Sequence, residues 1–418
     1  MEYLVTIQID GEDVPCGRLF QNVRHGEETT TFSYDPSYLR RPNAFGLCPD
    51  MPLGPGTFHS RGLRQLRALE DCMPDRWGRN LLLRAERNAV RRESRTERTL
   101  FETDMLVGVS DYTRQGAIRL WDSSSNAALA QGSFGVPREV SLPQLLDAAD
   151  LAARDLDADV RDLVAAGSSL GGARPKASVR SESGDLLIAK FPKSTEDVVD
   201  DVCAWEHVCL RLMSNCGISV PASRLIRIGG RAVLLLRRFD RSGSRRTPYI
   251  SGLTAVQGDD GSRYSYLELA EYIEDSGENP ERDLWEIWKR ALFSCVVGNT
   301  DNHLRNYGFL HTKSGWALSP AFDVNPTPGN GEKYLATSLD FDRPEADARL
   351  AIEMADYFRV GEAQMRECLS TMARNMVRWA EFARADGISE TSIQHMRSCF
   401  EGGIESLERC ITYQDSSS

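Results

Sequence analysis

The sequence predicts an α+β fold with a β-rich N-terminal region and an all-helical C-terminal lobe. Near the start, Val5, Ile7 and Ile9 alternate with polar residues, and residues 29–34 form a β-branched and aromatic run, as in half-buried strands. Residues 266–410 have mainly helical patterns, interrupted by a loop-rich stretch over 299–337. Strands therefore dominate the first part of the chain and helices the last.

The elements between these regions predict the domain organisation. Asp10-Gly11 predicts a turn, and 63–90 predicts a helix. Further helices are expected over 142–151, 160–165 and 198–215, and strands over 186–191 and 232–239. Because 122–137 is rich in Ser, Asn, Ala and Gly, we place a boundary there. The predicted parts are a β-rich subdomain over 1–130, an N-lobe over 138–258, a helical C-lobe over 259–412 and a flexible tail over 413–418.

Composition excludes several classes of protein. Apolar residues make up 41% of the 418 residues, as in globular proteins, and the formal charge of −11 disfavours unaided binding to nucleic acid or anionic lipid. We expect neither a secretory signal nor a membrane span, because no basic segment precedes an apolar one and the apolar runs are short. Ten scattered cysteines without a C-x-x-C pair predict reduced, mostly buried thiols in a cytoplasmic protein.

The segment 76–98 is a local exception to the acidic balance, with eight arginines against three glutamates. Two interpretations remain open. The segment is either a basic surface for nucleic acid or an acidic partner, or a solvated helix face with Arg/Glu pairs.

Asp301 and Asn306 form the strongest functional pattern. They lie five residues apart after an amphipathic helix, which is the D-x-x-x-x-N spacing of kinase catalytic loops. Such an aspartate orients a hydroxyl and accepts its proton, and the asparagine oxygen binds Mg²⁺. Asp323, seventeen residues further on, suits the other magnesium ligand. Taken singly, each aspartate would be interpreted as a turn former or helix cap; their order and spacing favour the kinase interpretation.

A lysine–glutamate pair and a glycine-rich loop complete the pattern. Lys190 lies on a predicted strand, and Glu206 lies in the apolar stripe of the next helix, so that Lys190 is its natural partner unless Glu206 reaches water at the edge of the stripe. The small residues of 167–176 would let backbone N–H groups approach phosphate oxygens. Alone, this loop could be a simple turn, and it matches neither the Walker nor the protein-kinase glycine pattern.

Four blocks together resemble the HipA family of serine/threonine kinase toxins, which belong to type II toxin–antitoxin systems. The blocks are Ser169-x-x-Gly172-Ala173-x-x-Lys176, Lys190 with Glu206, Arg238-Phe239-Asp240-Arg241, and Gly298-Asn299-Thr300-Asp301 through Asn306 with Asp323. The segments Phe32-Ser33-Tyr34-Asp35, Phe45-Gly46-Leu47-Cys48-Pro49 and Asp75-Arg76-Trp77-Gly78-Arg79 also fit the family, so that the resemblance covers nearly the whole chain.

The resemblance implies a two-lobed, protein-kinase-like fold that binds ATP and Mg²⁺. Asp301 would be the catalytic base, Asn306 and Asp323 the Mg²⁺ ligands, and Ser169 the regulatory autophosphorylation site. The positions assigned to the nucleotide site are Gly171, Gly172, Ala173, Arg174, Pro175, Lys176, Lys190, Glu206, Arg237, Arg238, Phe239, His303, Leu304, Arg305, Asn306, Phe322 and Asp323. Arg237 departs from the family, where an acidic residue is expected, and neither Asn302 nor Leu304 has an individual role.

The resemblance also implies partners. A small helix-turn-helix antitoxin similar to HipB would bind operator DNA, and this chain would reach that DNA only through the complex. The expected protein substrate is an aminoacyl-tRNA synthetase or a similar target whose phosphorylation inhibits translation, and no membrane is involved. Two alternatives remain: a small-molecule or lipid kinase, and a catalytically idle corepressor bound to an antitoxin.

Overall fold

The chain forms two compact units. The computed structural model describes residues 1–124, 127–130, 136–154, 163, 174–196, 199–329 and 331–416. Unit 1 comprises Met1–Ser194 with Arg237–Ile250, and unit 2 comprises Thr195–Leu236 with Ser251–Ser418. The predicted N-lobe over 138–258 is thus divided between the two units, because 195–236 packs with the helical part of the chain.

The described residues contain sixteen strands and thirteen α-helices. The strands are β1 Glu2–Ile9, β2 Glu12–Arg24, β3 Glu27–Tyr34, β4 Phe58–His59, β5 Ile118–Asp122, β6 Lys176–Arg180, β7 Leu186–Lys190, β8 Ser223–Ile228, β9 Arg231–Arg237, β10 Arg241–Ser242, β11 Arg245–Arg246, β12 Tyr249–Ser251, β13 Tyr264–Ser265, β14 Gly308–His311, β15 Trp316–Leu318 and β16 Thr337–Ser338. The helices are α1 Pro36–Leu39, α2 Arg67–Glu70, α3 Arg76–Glu93, α4 Glu102–Gly108, α5 Leu142–Ala153, α6 Val202–Asn215, α7 Gly252–Ala255, α8 Tyr266–Ser276, α9 Pro280–Val297, α10 Ala348–Glu353, α11 Glu362–Met376, α12 Trp379–Ala385 and α13 Glu390–Ser416.

Unit 1 is built on a five-stranded sheet of order β4-β3-β2-β1-β5. Strands β1 and β2 pair antiparallel, with Ile9 opposite Glu12. The two residues between them, Asp10 and Gly11, have positive φ angles of 52° and 90°. A two-residue turn with positive φ at both positions matches the twist of a hairpin, which explains why Asp-Gly occurs here. Val5 and Ile7 are buried, as predicted, but the polar Thr6 and Gln8 are buried as well, so β1 does not have the half-buried alternation that its sequence predicts.

The predicted helix over 63–90 is interrupted. Helix α2 ends at Glu70 and α3 begins at Arg76, with Pro74 between them. Proline lacks an N–H group and disfavours helical backbone at the residue before it, so the chain breaks there and restarts. The Asp75 carboxylate caps the new helix by accepting a hydrogen bond of 2.7 Å from the Gly78 N–H.

A second hairpin of unit 1 joins β6 to β7. Lys176 lies directly opposite Lys190 in its antiparallel register, so that both side chains start on the same face of the hairpin. The predicted strand over 186–191 is confirmed by β7. The predicted helix over 160–165 lies, apart from position 163, outside the described residues, as do 125–126 and 131–135 of the predicted boundary.

Unit 2 is mainly helical, and the predicted α+β fold class is confirmed. Helix α6 occupies most of the segment predicted as 198–215, and its buried Trp205 packs against Phe400 of α13. The loop-rich stretch over 299–337 carries the short strands β14, β15 and β16, which satisfy backbone hydrogen bonds between the helices of this unit. The segment 413–418, predicted as a tail, is helical up to Ser416.

All ten cysteines are buried and free, as predicted. Burial raises the pKa of the Cys216 thiol to about 12, so that this thiol stays protonated at neutral pH. In the part of the chain that the structure describes, no helix is both long and apolar enough to cross a bilayer.

Candidate active site

The loop that contains Asp301 begins at a sharp helix end. Helix α9 stops at Val297, and Gly298 adopts a left-handed conformation with φ 57°. The left-handed conformation favours glycine, and a Cβ atom at position 298 would also displace the Lys333 side chain, whose Cδ would lie only 2.4 Å away. The Asn299 N–H then donates to the Ser294 carbonyl at 2.8 Å, which turns the chain away from the helix axis.

Asp301 and Asn306 are joined by a direct hydrogen bond. The Asn306 side-chain nitrogen Nδ2 donates to the backbone carbonyl of Asp301 at 2.8 Å. Because the nitrogen is used in this way, the amide oxygen of Asn306 is left as a ligand atom. The Asp301 carboxylate is 81% exposed and can be reached by a substrate hydroxyl. The five-residue spacing therefore joins a residue with an accessible carboxylate to a residue whose amide oxygen can bind a metal.

Glu206 and Asp323 meet in unit 2. Asp323 has φ 58°, a left-handed conformation that costs a non-glycine residue about 1–3 kcal/mol and occurs where neighbouring structure imposes it. Its backbone N–H donates to Oε1 of the buried Glu206 at 3.1 Å. Glu206 thus holds the backbone of the second predicted magnesium ligand. Its predicted partner Lys190, also buried, belongs to unit 1, and that pair stays a prediction.

Asn302 is a structural residue of this loop to which the sequence assigned no role. It is 1% exposed, and its Nδ2 donates to the Thr337 carbonyl at 3.0 Å and to the Tyr266 hydroxyl at 3.1 Å. In return, the Thr337 N–H donates to Asn302 Oδ1 at 3.1 Å. Both ends of the amide are therefore bonded, which fixes the residue next to Asp301.

Two tyrosines extend this support. The hydroxyls of Tyr266 and Tyr307 lie 2.5 Å apart, and Tyr266 also contacts the Ser294 hydroxyl at 3.4 Å. Burial raises the pKa of both phenols, so that they remain neutral hydrogen-bonding groups. We define Asn302, Thr337, Tyr266, Tyr307 and Ser294 as the loop-support network. None of its members carries a charge.

The other predicted residues of this loop have varied surroundings. His303 Nε2 lies 4.0 Å from Asp301 Oδ1, and its Nδ1 is buried without a hydrogen-bond partner among the described residues. Arg305 forms a two-bond ion pair with Asp260, at 3.0 and 2.8 Å. Leu304 is buried in the core of unit 2. Arg305 and Leu304 therefore have roles within the protein that the nucleotide assignment did not anticipate.

In unit 1, Lys176 does not present a free ammonium group. Its Nζ lies 3.0 Å from an Asp75 carboxylate oxygen, and both side chains are almost fully buried. Burial raises the pKa of Asp75, an effect that Lys176 partly offsets. Strand β6 is held further by the Trp77 indole, which donates to the Lys176 carbonyl at 3.2 Å. Lys176 thus ties the strand after the glycine-rich segment to the start of α3, and phosphate binding by its side chain stays a prediction.

The remaining assigned positions of unit 1 lie before and after these strands. Ser169, Gly171, Gly172 and Ala173 lie outside the described residues. The Pro175 carbonyl accepts a hydrogen bond of 2.9 Å from the Phe191 N–H, and Arg174 is half-buried.

The positions 237–239, which the resemblance assigns to the nucleotide site, include one exposed and one buried arginine. Arg237 forms an exposed ion pair of 3.1 Å with Asp185. The side chain of Arg238 is fully buried and bonds to Asp240 at 2.8 and 2.6 Å. Phe239, between them, is half-buried against Tyr249. The Arg238 side chain therefore stabilises unit 1 internally.

The donor set of unit 2 suits Mg²⁺ and phosphate chemistry. Asn306 supplies an amide oxygen and Asp323 a carboxylate, both hard oxygen ligands of the kind that Mg²⁺ prefers. Among the described residues, no group of three or more His, Cys, Asp or Glu side chains has the arrangement of a metal site. Kinases hold Mg²⁺ with few protein ligands and complete its shell with phosphate oxygens and water, so that this small set fits.

Comparison with known proteins gives matches along most of the chain. The model of the HipA N-terminal domain matches residues 7–101, and that of the HipA-like C-terminal domain matches 168–380. A putative kinase of Haemophilus influenzae is 25% identical over 213 residues, which cover 44% of this chain and 61% of the relative. The toxin YjjJ of Escherichia coli is 28% identical over 215 residues, 46% of this chain and 44% of the relative. The aligned part thus covers less than two thirds of either relative's length.

One solved structure is similar over almost its full length. It is HipA of Shewanella oneidensis, determined with HipB and its operator DNA. The similarity covers 99% of this chain and 98% of that one, with a TM-score of 0.70 and 17% sequence identity. With 17% sequence identity, this similarity shows that the two proteins share a fold.

Proposed function

Because this chain belongs to the HipA family, we propose that it is an ATP- and Mg²⁺-dependent serine/threonine protein kinase and the toxin of a toxin–antitoxin pair. The observation that carries the proposal is the pairing of two devices in unit 2. The backbone carbonyl of Asp301, whose carboxylate is exposed, accepts a hydrogen bond from the Asn306 amide, and the strained backbone of Asp323 is held by the buried Glu206. An accessible carboxylate together with hard oxygen ligands supports phosphoryl transfer as the function of this site.

Each of these residues would have a separate task in the reaction. Asp301 would accept a hydrogen bond from the substrate hydroxyl and take its proton as the hydroxyl oxygen bonds to the γ-phosphorus of ATP. The bond from that phosphorus to the oxygen bridging the β- and γ-phosphates would break at the same time, and ADP would leave with that oxygen. Asn306 and Asp323 would hold Mg²⁺, which supplies positive charge against the phosphate oxygens. Glu206 would keep Asp323 in its ligating conformation through the 3.1 Å bond to the backbone N–H. Lys190 and the segment from Gly171 to Lys176 would bind the nucleotide phosphates.

Regulation and partners follow the family. We propose autophosphorylation at Ser169, where a phosphate of charge about −1.5 to −2 would repel the nucleotide phosphates from the same loop. A helix-turn-helix antitoxin would bind the chain and carry it to operator DNA, as in the complex formed by the Shewanella oneidensis HipA. The protein substrate would be an aminoacyl-tRNA synthetase or another component of translation.

Transfer of labelled phosphate tests the catalytic assignment. The Asp301→Ala variant should incorporate about 10²- to 10⁴-fold less label than wild type, the range expected when a general base is removed. Asp342→Ala removes another exposed aspartate of unit 2 and should leave incorporation unchanged. Equal incorporation by wild type and Asp301→Ala would contradict the proposal.

The destination of the label distinguishes the alternatives. The purified chain is incubated with labelled ATP and a cell extract, and protein and small-molecule fractions are counted separately. Label in protein supports the proposal, whereas label confined to small molecules or lipids identifies the other kinase class. Tight binding of ATP with Mg²⁺ and no transfer by freshly dephosphorylated protein would favour the idle corepressor.

A further inference from the structure

The eight arginines of the segment 76–98 fall into two groups. Five of them bond to protein atoms: Arg79 to Glu102, Arg84 to the Ala152 carbonyl, Arg92 to Glu93, Arg95 to Glu86 and Glu93, and Arg98 to Glu86 and Asp104. Arg76, Arg87 and Arg91 are exposed and make no ion pair or hydrogen bond with the described residues. The basic composition of the segment is thus neutralised at some positions and left available at three.

The three unpaired arginines lie on one face of α3. Arg76 and Arg87 are eleven residues apart, close to three helical turns, and Arg91 follows one further turn away. The residues that the helix buries, Trp77, Gly78 and Leu81, lie outside this face. We define Arg76, Asn80, Leu83, Arg87 and Arg91 as the arginine stripe. All five are exposed, and the stripe extends for about 22 Å at the rise of an α-helix.

The charge of the stripe is uncompensated. The helical glutamates Glu86 and Glu93 lie elsewhere on the helix surface and are bonded to Arg95. An arginine guanidinium binds phosphate through two parallel N–H bonds, and rows of such groups give proteins their attraction to nucleic acid. The stripe therefore presents three phosphate-binding groups on a chain whose formal charge is −11.

The composition of the stripe favours a phosphate backbone over a protein partner. A helix that docks on a protein normally presents apolar anchors at successive turns. Here the exposed apolar residue is Leu83, 42% exposed, and its neighbours along the stripe are Asn80 and Arg87. We infer that the arginine stripe is a contact surface for the sugar–phosphate backbone of duplex DNA.

The inference rests on the proposed function, which brings the chain to operator DNA through an antitoxin. The overall negative charge opposes free encounter with DNA, and three phosphate contacts alone give weak binding. Once an antitoxin holds the chain at the duplex, the same contacts act intramolecularly and add to the affinity of the whole complex. The stripe would read no sequence, since phosphate contacts position a protein without specifying bases.

Arg91 and Arg92 provide a matched test. The substitutions Arg91→Gln and Arg92→Gln each remove one positive charge from adjacent positions, but Arg91 belongs to the stripe and Arg92 is paired with Glu93. Binding of the full chain to a fluorescein-labelled duplex of about 30 base pairs is measured by fluorescence anisotropy. The salt concentration is varied from about 20 to about 150 mM, because phosphate contacts make the affinity depend on salt. The double variant Arg87→Gln/Arg91→Gln and Leu83→Ser complete the set.

The inference predicts that Arg91→Gln weakens binding several-fold at the lowest salt and that Arg92→Gln leaves it close to wild type. The slope of log K against log salt should fall by about 0.9 for Arg91→Gln and by about 1.8 for the double variant, because each lost phosphate contact releases one counterion fewer. Equal effects of Arg91→Gln and Arg92→Gln would overturn the inference. So would a loss in Leu83→Ser as large as that in Arg91→Gln, because binding would then depend on the exposed apolar side chain as much as on the charge.

Phosphate transfer by the same proteins separates this inference from the proposed function. Arg91→Gln should retain wild-type transfer. Stripe-dependent duplex binding without any transfer by wild type would leave the DNA contact standing and contradict the kinase assignment. Phosphate transfer by wild type without stripe-dependent binding of the duplex would support the kinase assignment and contradict the DNA contact.

Discussion

The segment 238–241 of unit 1 is held by buried charges, whereas Asn302, in the loop over 300–306 of unit 2, is held by neutral groups. Asp240 accepts bonds from Arg238, from Arg241 and, at 2.8 Å, from the Gly116 N–H. Arg238 also donates to the Thr113 carbonyl at 2.6 Å. Burial alone would raise the pKa of Asp240, but the two arginines outweigh burial and hold it below its usual range.

The loop-support network of unit 2 contains amides, hydroxyls and backbone groups. Asn302 is bonded at both ends of its amide, and the two tyrosines share a hydrogen bond beneath it. No carboxylate or ammonium in this network competes with the charges of the site. Asp301, directly beside Asn302, is then free to respond to the substrate and to the metal-bound nucleotide that we propose.

Support by buried charges and support by neutral hydrogen bonds suit different tasks. Buried charges satisfy several backbone carbonyls at once, but the removal of one partner leaves the other unpaired in a medium of low dielectric. Neutral hydrogen bonds cost less to lose and do not perturb a neighbouring base. A segment with a structural task can use the first arrangement, whereas a loop that positions a proton acceptor gains from the second.

The largest expected effect is the loss of the Asp240 charge. Asp240→Asn keeps the shape of the side chain but leaves Arg238 and Arg241 without their anionic partner, which should destabilise unit 1 by about 3–5 kcal/mol. Urea unfolding measures the change, and hydrogen exchange of amides 113–119 locates it. Asp185→Asn removes the partner of the exposed Arg237 and should cost less than about 1 kcal/mol. Similar losses in both variants would remove the contrast between buried and exposed charge.

The same variant predicts a pH dependence. The pKa of Asp240 is lowered from 3.8, so its ionised form contributes stability above the unfolded-state pKa. That contribution is lost as the pH falls through the folded-state pKa, when the carboxyl binds a proton in both states. The stability difference between wild type and Asp240→Asn should therefore be constant from pH 7 to about 5 and shrink below about 4. A difference that grows on acidification would contradict this assignment.

Substitutions of Asn302 test the loop-support network, which is built from neutral hydrogen-bonding groups. Asn302→Ala should reduce stability by about 1–3 kcal/mol, because partners such as the Thr337 N–H lose their bonds. It should lower kcat for phosphate transfer by about 10²-fold with little change in the KM for ATP, since Asp301 loses its position rather than its chemistry. Asn302→Asp should lower kcat further, because a carboxylate cannot donate to the Thr337 carbonyl and adds a negative charge beside Asp301.

Asn375→Ala is the matched control for this prediction. It removes a comparable bond, in which the Asn375 amide donates to the Thr371 carbonyl at 2.8 Å within α11. The control should leave kcat unchanged. An equal loss of kcat in the two alanine variants would show that Asn302 acts only through global stability.

Much of this arrangement could be predicted from the sequence where its cause is local. The Asp10-Gly11 turn, strand β7 and the spacing of Asp301 and Asn306 depend on neighbouring residues, and such patterns are visible along the chain. The role of Asn302 was not predictable, because its partner Thr337 is thirty-five residues away and a polar residue in a loop resembles a turn former. Glu206 was recognised as a carboxylate that needs a partner, but nothing in its helix indicates the Asp323 N–H.

Lys176 is another residue whose partner lies far away along the chain and could not be predicted from its neighbours. Its position after a glycine-rich segment suggested a phosphate ligand, yet its ammonium group lies against Asp75, about a hundred residues earlier in the chain. Spacing along the sequence identifies the residue types that a site requires. It does not decide between a ligand and a distant carboxylate for the same ammonium group, because that choice depends on tertiary packing.

The smallest expected effect comes from a single hydroxyl of the loop-support network. Tyr307→Phe removes the group that lies 2.5 Å from the Tyr266 hydroxyl, while Asn302 and Ser294 still contact Tyr266. The loss of one neutral bond should cost about 0.5–1.5 kcal/mol in urea unfolding and change kcat less than Asn302→Ala does. Tyr357→Phe alters an exposed phenol and should have no measurable effect. If Tyr307→Phe abolished transfer while the protein stayed folded, the phenol would take part in the chemistry directly, and the neutral groups beneath the loop would be more than a support for Asp301.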